Sequence, residues 1–85
     1  MGYTARLVQY STDSDPYGYE VVLHPGYSIE AHKSFVGAAL QSRITLESAR
    51  IKGYFAELDE EMLRRVRADV GVERVLQHGH VRLFG

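Results

Sequence analysis

The sequence predicts an α+β fold: a four-stranded antiparallel sheet with two helices on one of its faces. Three observations predict it. Stretches at 19–24, 43–47, 51–58 and 72–76 carry the apolar and polar alternation or β-rich composition of strands. Two further stretches, one after the first strand and one after the third, place apolar residues at helical spacing behind good capping residues. The resulting order is strand, helix, strand, strand, helix, strand. Two right-handed crossovers then bring both helices to the same side of one sheet.

Residues 1–17 read as an N-terminal extension. A short strand over Tyr3–Tyr10 is one reading, with poor alternation, and disorder is the other. Ser11 to Gly18 combines Ser, Asp, Pro and Gly, which is turn chemistry and suits a linker. Residues 18–85 form the domain proper, with a C-terminal tail over 77–85.

The first strand, Tyr19–His24, sets Tyr19, Val21 and Leu23 on one face and Glu20, Val22 and His24 on the other. Pro25-Gly26 ends it. Ser28 caps a helix whose apolar stripe is His32, Phe35, Val36, Ala39 and Leu40. Arg43–Glu47 alternates again, with Ile44 and Leu46 inward. A turn at Ser48-Ala49-Arg50 leads to the strand Ile51–Leu58. Asp59 caps the second helix, with Glu60 and Glu61 in its first turn and Arg64, Arg65 and Arg67 towards its end, matching the macrodipole. Met62, Leu63 and Val66 are its apolar stripe, and Gly71 is expected at the C′ position. Val72–Leu76 is the last strand.

The bulk numbers exclude several classes. A chain of 85 residues holds one core. A net charge of −1 offers no electrostatic reason to bind nucleic acid or an anionic membrane. The absence of cysteine removes disulfides, thiolate metal sites and thiol nucleophiles. The first residues lead into no apolar run of signal-peptide or membrane-span length, and Arg6 stands where myristoylation of Gly2 needs Ser or Thr. The expectation is a cytoplasmic protein, or a secreted or vacuolar one if it is excised from a longer precursor.

The arrangement predicted here is the ferredoxin-like βαββαβ fold, which by itself names no function. Particular residues go further. Tyr19-Glu20-Val21-Val22-Leu23-His24-Pro25-Gly26 resembles the opening strand of subtilisin-type propeptides. Ile51-Lys52-Gly53-Tyr54-Phe55-Ala56-Glu57-Leu58 resembles the Gly-aromatic third strand of the free-standing fungal inhibitors of that family. Arg67-Ala68-Asp69-Val70-Gly71-Val72-Glu73-Arg74-Val75 is similar to the family's Asp-Pro-x-Val-x-x-Val entry into its last strand, with Val70 in place of proline. The likeness covers residues 18–85, with the three blocks in the family's order. The chain departs from the family again just after the last strand, where Leu76-Gln77-His78 stands in place of acidic residues.

The resemblance implies a protein inhibitor of subtilisin-type serine endopeptidases, not an enzyme, that works without a cofactor and is monomeric when free. It implies a two-part grip. The open sheet face packs on the protease, while the tail lies extended in the substrate cleft and adds a strand there. A folded domain that holds the tail ready lowers the entropy lost on binding. The tail residues are Val81, Arg82, Leu83, Phe84 and Gly85. Phe84 at P1 and Val81 at P4 fill the two apolar pockets that such clefts present, whereas Gly85 at P1 fills neither well. On the sheet, alternation puts Val22 and Phe55 opposite the helices, beside Glu20, His24, and Lys52 or Glu57 depending on registry. That patch faces the protease, is covered by the N-terminal segment, or is hidden in a homodimer. A propeptide acting as intramolecular chaperone of its own protease would use the same surface.

Other readings carry less. His78 and His80 form a poor metal site with no cysteine or nearby carboxylate, so no metal is expected. His32 reads as a core-edge residue. No serine lies in a nucleophile-elbow sequence, and the chain lacks the asparagine that acylphosphatase chemistry needs. Lys52-Gly53-Tyr54-Phe55-Ala56 begins like an RNA-recognition motif, but Ala56 stands where an aromatic is needed to stack on a base.

Overall fold

The computed structural model describes residues 2–9, 18–50 and 52–77. Its elements are β1 (Arg6–Gln9), β2 (Gly18–Leu23), α1 (Ile29–Val36), a 3-10 segment (Ala38–Arg43), β3 (Ile44–Ser48), β4 (Gly53–Glu57), α2 (Glu60–Ala68) and β5 (Val72–Gln77). One sheet holds all five strands, in the order β1-β5-β2-β4-β3. Every neighbouring pair from β5 to β3 is antiparallel, whereas β1 lies parallel to β5.

The fold is therefore α+β, but the expected four-stranded antiparallel sheet is a five-stranded mixed one. The cause lies in the main chain. A four-stranded sheet would leave the outer edge of β5 open, and Arg6–Gln9 satisfies that edge. Ladder hydrogen bonds do not require side-chain alternation, so a segment with poor alternation pairs all the same.

Both helices cover one face of the sheet. Tyr19, Val21 and Leu23 of β2, Tyr54 and Ala56 of β4, and Val72 and Val75 of β5 share one core with Val36 of α1 and Met62 and Val66 of α2. The alternation of β2 is the cause, since its odd-numbered residues point into that core.

Three local expectations change. Ser28 caps α1 through a hydrogen bond from the Ala31 N–H at 2.9 Å, but the helix stops at Val36. Gly37 follows at φ 121°, outside the range that L side chains favour, and the chain continues as the 3-10 segment. Leu40 still reaches the core, while Phe35 is 56% exposed and Ala39 is exposed, so the single long stripe does not form. On β3, Ile44 pairs with Ala56 but Leu46 pairs with Phe55, so Thr45 is an extra residue in the ladder. The bulge turns Leu46 outward, to 57% exposure, instead of inward beside Ile44. It also brings Glu47 to the helix side, where Lys33 Nζ donates to its Oε2 at 2.7 Å.

Asp59 caps α2, accepting from the Met62 N–H at 2.8 Å, and the helix runs to Ala68 with Asp69 as its C-cap. Gly71 is therefore not the left-handed C′ residue. It is glycine for space: a Cβ there would lie 2.2 Å from the Tyr27 ring.

Candidate functional site

The sheet face opposite the helices is assembled by register. Val8 of β1, Leu76 of β5, Glu20 of β2, Phe55 of β4 and Leu46 of β3 are successive cross-strand partners, one from each strand. The adjacent row is Arg6, Arg74, Val22, Gly53 and Ser48. Glu20 and Phe55 are half-buried at the middle of the first row, and Val22 and Leu76 are buried. Glu57 is exposed, opposite Gly18 at the other end of the β2–β4 ladder. His24 is exposed beyond the end of β2, where its N–H donates to the Gly71 carbonyl at 2.8 Å.

Of the residues expected to face a partner, Glu20 and Phe55 are direct neighbours and Val22 lies one row away. Glu57 lies one row away on the other side, opposite Gly18, whereas His24 lies beyond the end of β2 and does not join them. Val8, Leu76 and Leu46 belong to the same row but escape sequence reasoning, because two depend on the pairing of β1 or β5 and one on the bulge. Val81, Arg82, Leu83, Phe84 and Gly85 lie outside the described residues, as do His78 and His80. A flat row of apolar side chains around one carboxylate supplies contact area and no nucleophile.

The chemically richest cluster is inside the fold. His32 is 0% exposed and Asp69 2%. His32 Nδ1 lies 2.7 Å from Asp69 Oδ2, and its Nε2 lies 2.7 Å from the Tyr54 hydroxyl. The Tyr27 hydroxyl donates to the Asp69 carboxylate at 2.7 and 2.9 Å, and the Gly71 N–H donates to Asp69 Oδ1 at 3.0 Å. Four segments meet here: the turn before α1, α1 itself, β4 and the α2–β5 turn.

Burial holds the His32 pKa below its ordinary value, against the pull of Asp69, so the ring is neutral at pH 7. A neutral ring in this geometry donates from Nδ1 to Asp69 and accepts at Nε2 from the Tyr54 O–H. Burial raises the Asp69 carboxyl. The Gly71 N–H, His32 and Tyr27 together outweigh that and hold it below the carboxylate range. Burial, helped by the Asp69 charge, pushes Tyr54 up, and burial with the Asp69 hydrogen bond pushes Tyr27 up to about 12.

Hydroxyl, imidazole and carboxylate in line is the layout of a proton relay. Here the hydroxyl belongs to Tyr54, which is fully buried, with its pKa raised. A substrate cannot reach it, and the network instead ties four segments together. Among the described residues no buried side-chain nitrogen or oxygen lacks a hydrogen-bond partner.

No protein-family model matches the chain, and no curated protein does.

A shallow cleft of about 230 Å³ lies between Tyr27, Ile29 and the β3–β4 turn, with Glu47 and Lys52 on its wall. Glu47 is already engaged by Lys33. Among the described residues no group of three or more His, Asp or Glu side chains is placed to hold a metal ion, and no helix is long and apolar enough to cross a membrane.

The sequence contained one signal for the buried network. A histidine in an apolar helical stripe must find polar partners if it is buried. Which partners it finds depends on Tyr54 and Asp69, 22 and 37 residues away along the chain.

Proposed function

We propose that this chain is a protein inhibitor of subtilisin-type serine endopeptidases and not an enzyme. One arrangement carries the reading. The three stretches that resemble the propeptide-like inhibitors lie on β2, β4 and at the entry to β5, and these are the three central strands, adjacent in the order β5-β2-β4. Residues that are scattered in sequence thus form one continuous part of the sheet. Within it, β2 to β5 with α1 and α2 follow the ferredoxin-like βαββαβ order, and β1 is an addition at one edge.

In this reading the outer row packs against the protease surface through Phe55 and Leu46. The tail enters the substrate cleft as an added strand, with Phe84 at P1 and Val81 at P4. Main-chain hydrogen bonds supply affinity, and the folded domain keeps the ordering cost low. Slow release of the cut or uncut tail makes the substrate an inhibitor.

Titrating the protein against subtilisin with a chromogenic peptide tests the reading. Stoichiometric or near-stoichiometric loss of activity is expected, together with a stable complex on gel filtration. Removal of Phe84-Gly85 weakens inhibition by about 10- to 100-fold, the range that a buried aromatic anchor supplies. Full protease activity at a large excess of the protein, across several subtilisins, refutes it.

A further inference from the structure

We propose that residues 3–9 are a positioning clamp that sets the direction in which the chain leaves β5 towards the inhibitory tail. The proposal rests on the inhibitor reading above. It assigns a role to a segment outside the family resemblance, which begins at residue 18.

The segment holds β5 along its length. At the start of β5, the Tyr3 hydroxyl donates to the Val72 carbonyl at 2.6 Å. Arg6, Leu7, Val8 and Gln9 then pair in turn with Arg74, Val75, Leu76 and Gln77. Between these anchors the Ala5 N–H donates to the Arg67 carbonyl at 2.7 Å, while Arg67 Nε donates to the Ala5 carbonyl at 2.8 Å. That reciprocal pair fixes the segment to the end of α2. Ala5 is fully buried and Leu7 packs on the core.

Gln77, the last residue of β5, consequently has a strand on either side, β1 at Gln9 and β2 at Tyr19. Without β1, β5 becomes an edge strand held from one side, and one-sided strand ends open more readily. The direction of the exit matters because Phe84 comes seven residues after Gln77. In the extended form that cleft binding needs, those residues span about 24 Å. A Gln77 held by a strand on either side lowers the ordering cost of setting Phe84 at that reach.

Two variants test this: Ala5→Asp, which puts a carboxylate at a buried contact of the clamp, and deletion of residues 2–9. Amide exchange at Leu76 and Gln77 is measured beside that at Val21 and Tyr54. The inhibition constant against subtilisin and the rate of cutting after Phe84 are measured on the same samples. Exchange at Leu76 and Gln77 is expected to accelerate about tenfold or more, while Val21 and Tyr54 stay protected. The inhibition constant rises about tenfold, and the tail is cut faster. A merely structural contribution would leave the last two readouts unmoved in a variant that remains folded. If both variants lose protection at Val21 and Tyr54, Tyr3→Phe, which removes one hydrogen bond, is judged by the same readouts.

Unchanged exchange at Leu76 and Gln77 overturns the clamp, whatever the inhibition. Faster exchange there with unaltered inhibition and cutting overturns its positioning role. An unmodified chain that inhibits no subtilisin overturns the inhibitor reading, and the positioning role falls with it.

Discussion

Replacing Asp69 with alanine removes the acceptor on which the buried network converges. Three donors lose their partner: the His32 Nδ1–H, the Tyr27 hydroxyl and the Gly71 N–H. Tyr27 is half-buried and turns to water, but His32 and Gly71 are buried. An unsatisfied buried donor costs about 1–3 kcal/mol, so the variant loses about 2–6 kcal/mol. A chain of 85 residues has a total stability of about 4–13 kcal/mol, so the loss removes a large fraction of it. Asp69→Asn preserves the shape and part of the hydrogen bonding, and costs less. Urea unfolding followed by tyrosine fluorescence suits a protein with six tyrosines and no tryptophan. The midpoint should fall strongly at unchanged slope for Asp69→Ala and modestly for Asp69→Asn. A loss below about 1 kcal/mol for Asp69→Ala would refute the claim that this network holds the four segments together.

Acid should destabilise the protein in two stages. The folded pKa of His32 is lowered from 6.5 and that of Asp69 from 3.8, so in each case the unfolded chain binds protons first. Stability therefore declines as pH falls below about 6.5 and again below about 3.8, and His32→Gln should abolish the first decline in urea midpoints measured against pH. Alkali acts in the opposite sense: Tyr27 is raised from 10.0 to about 12, so its contribution is present below pH 10 and is lost as pH rises towards 12, which ultraviolet titration of phenolate alongside circular dichroism checks. Gly71→Ala sets a methyl group against the Tyr27 ring and should cost about 1–3 kcal/mol in thermal or urea unfolding. Leu46→Ser, at an exposed position of the outer row, should leave the unfolding midpoint within about 0.5 kcal/mol of the parent while weakening subtilisin inhibition; equal inhibition would remove β3 from the contact surface.

Local chemistry made much of the fold legible in advance. The alternation of Tyr19, Val21 and Leu23 placed β2 with its correct face inward, and Ser28 and Asp59 marked the starts of both helices through their capping bonds. These features depend on residues within one turn or one strand of each other, so the order of residues is enough to determine them. The candidate surface was legible in part: Glu20 and Phe55 were placed together, whereas Leu46 was assigned to the wrong face.

Contacts distant in sequence were decided by the tertiary structure alone. Thr45 becomes a bulge only because β3 must pair with β4, and that single extra residue reverses Leu46 and Glu47. Arg6–Gln9 becomes a strand because β5 offers an edge some 68 residues later, as the pairing of Arg6 with Arg74 shows. His32 acquires Asp69 and Tyr54 as partners because α1, the α2–β5 turn and β4 converge in the core. Short-range pattern and capping select the elements; register, edge satisfaction and the requirement that buried polar groups be paired select how they meet.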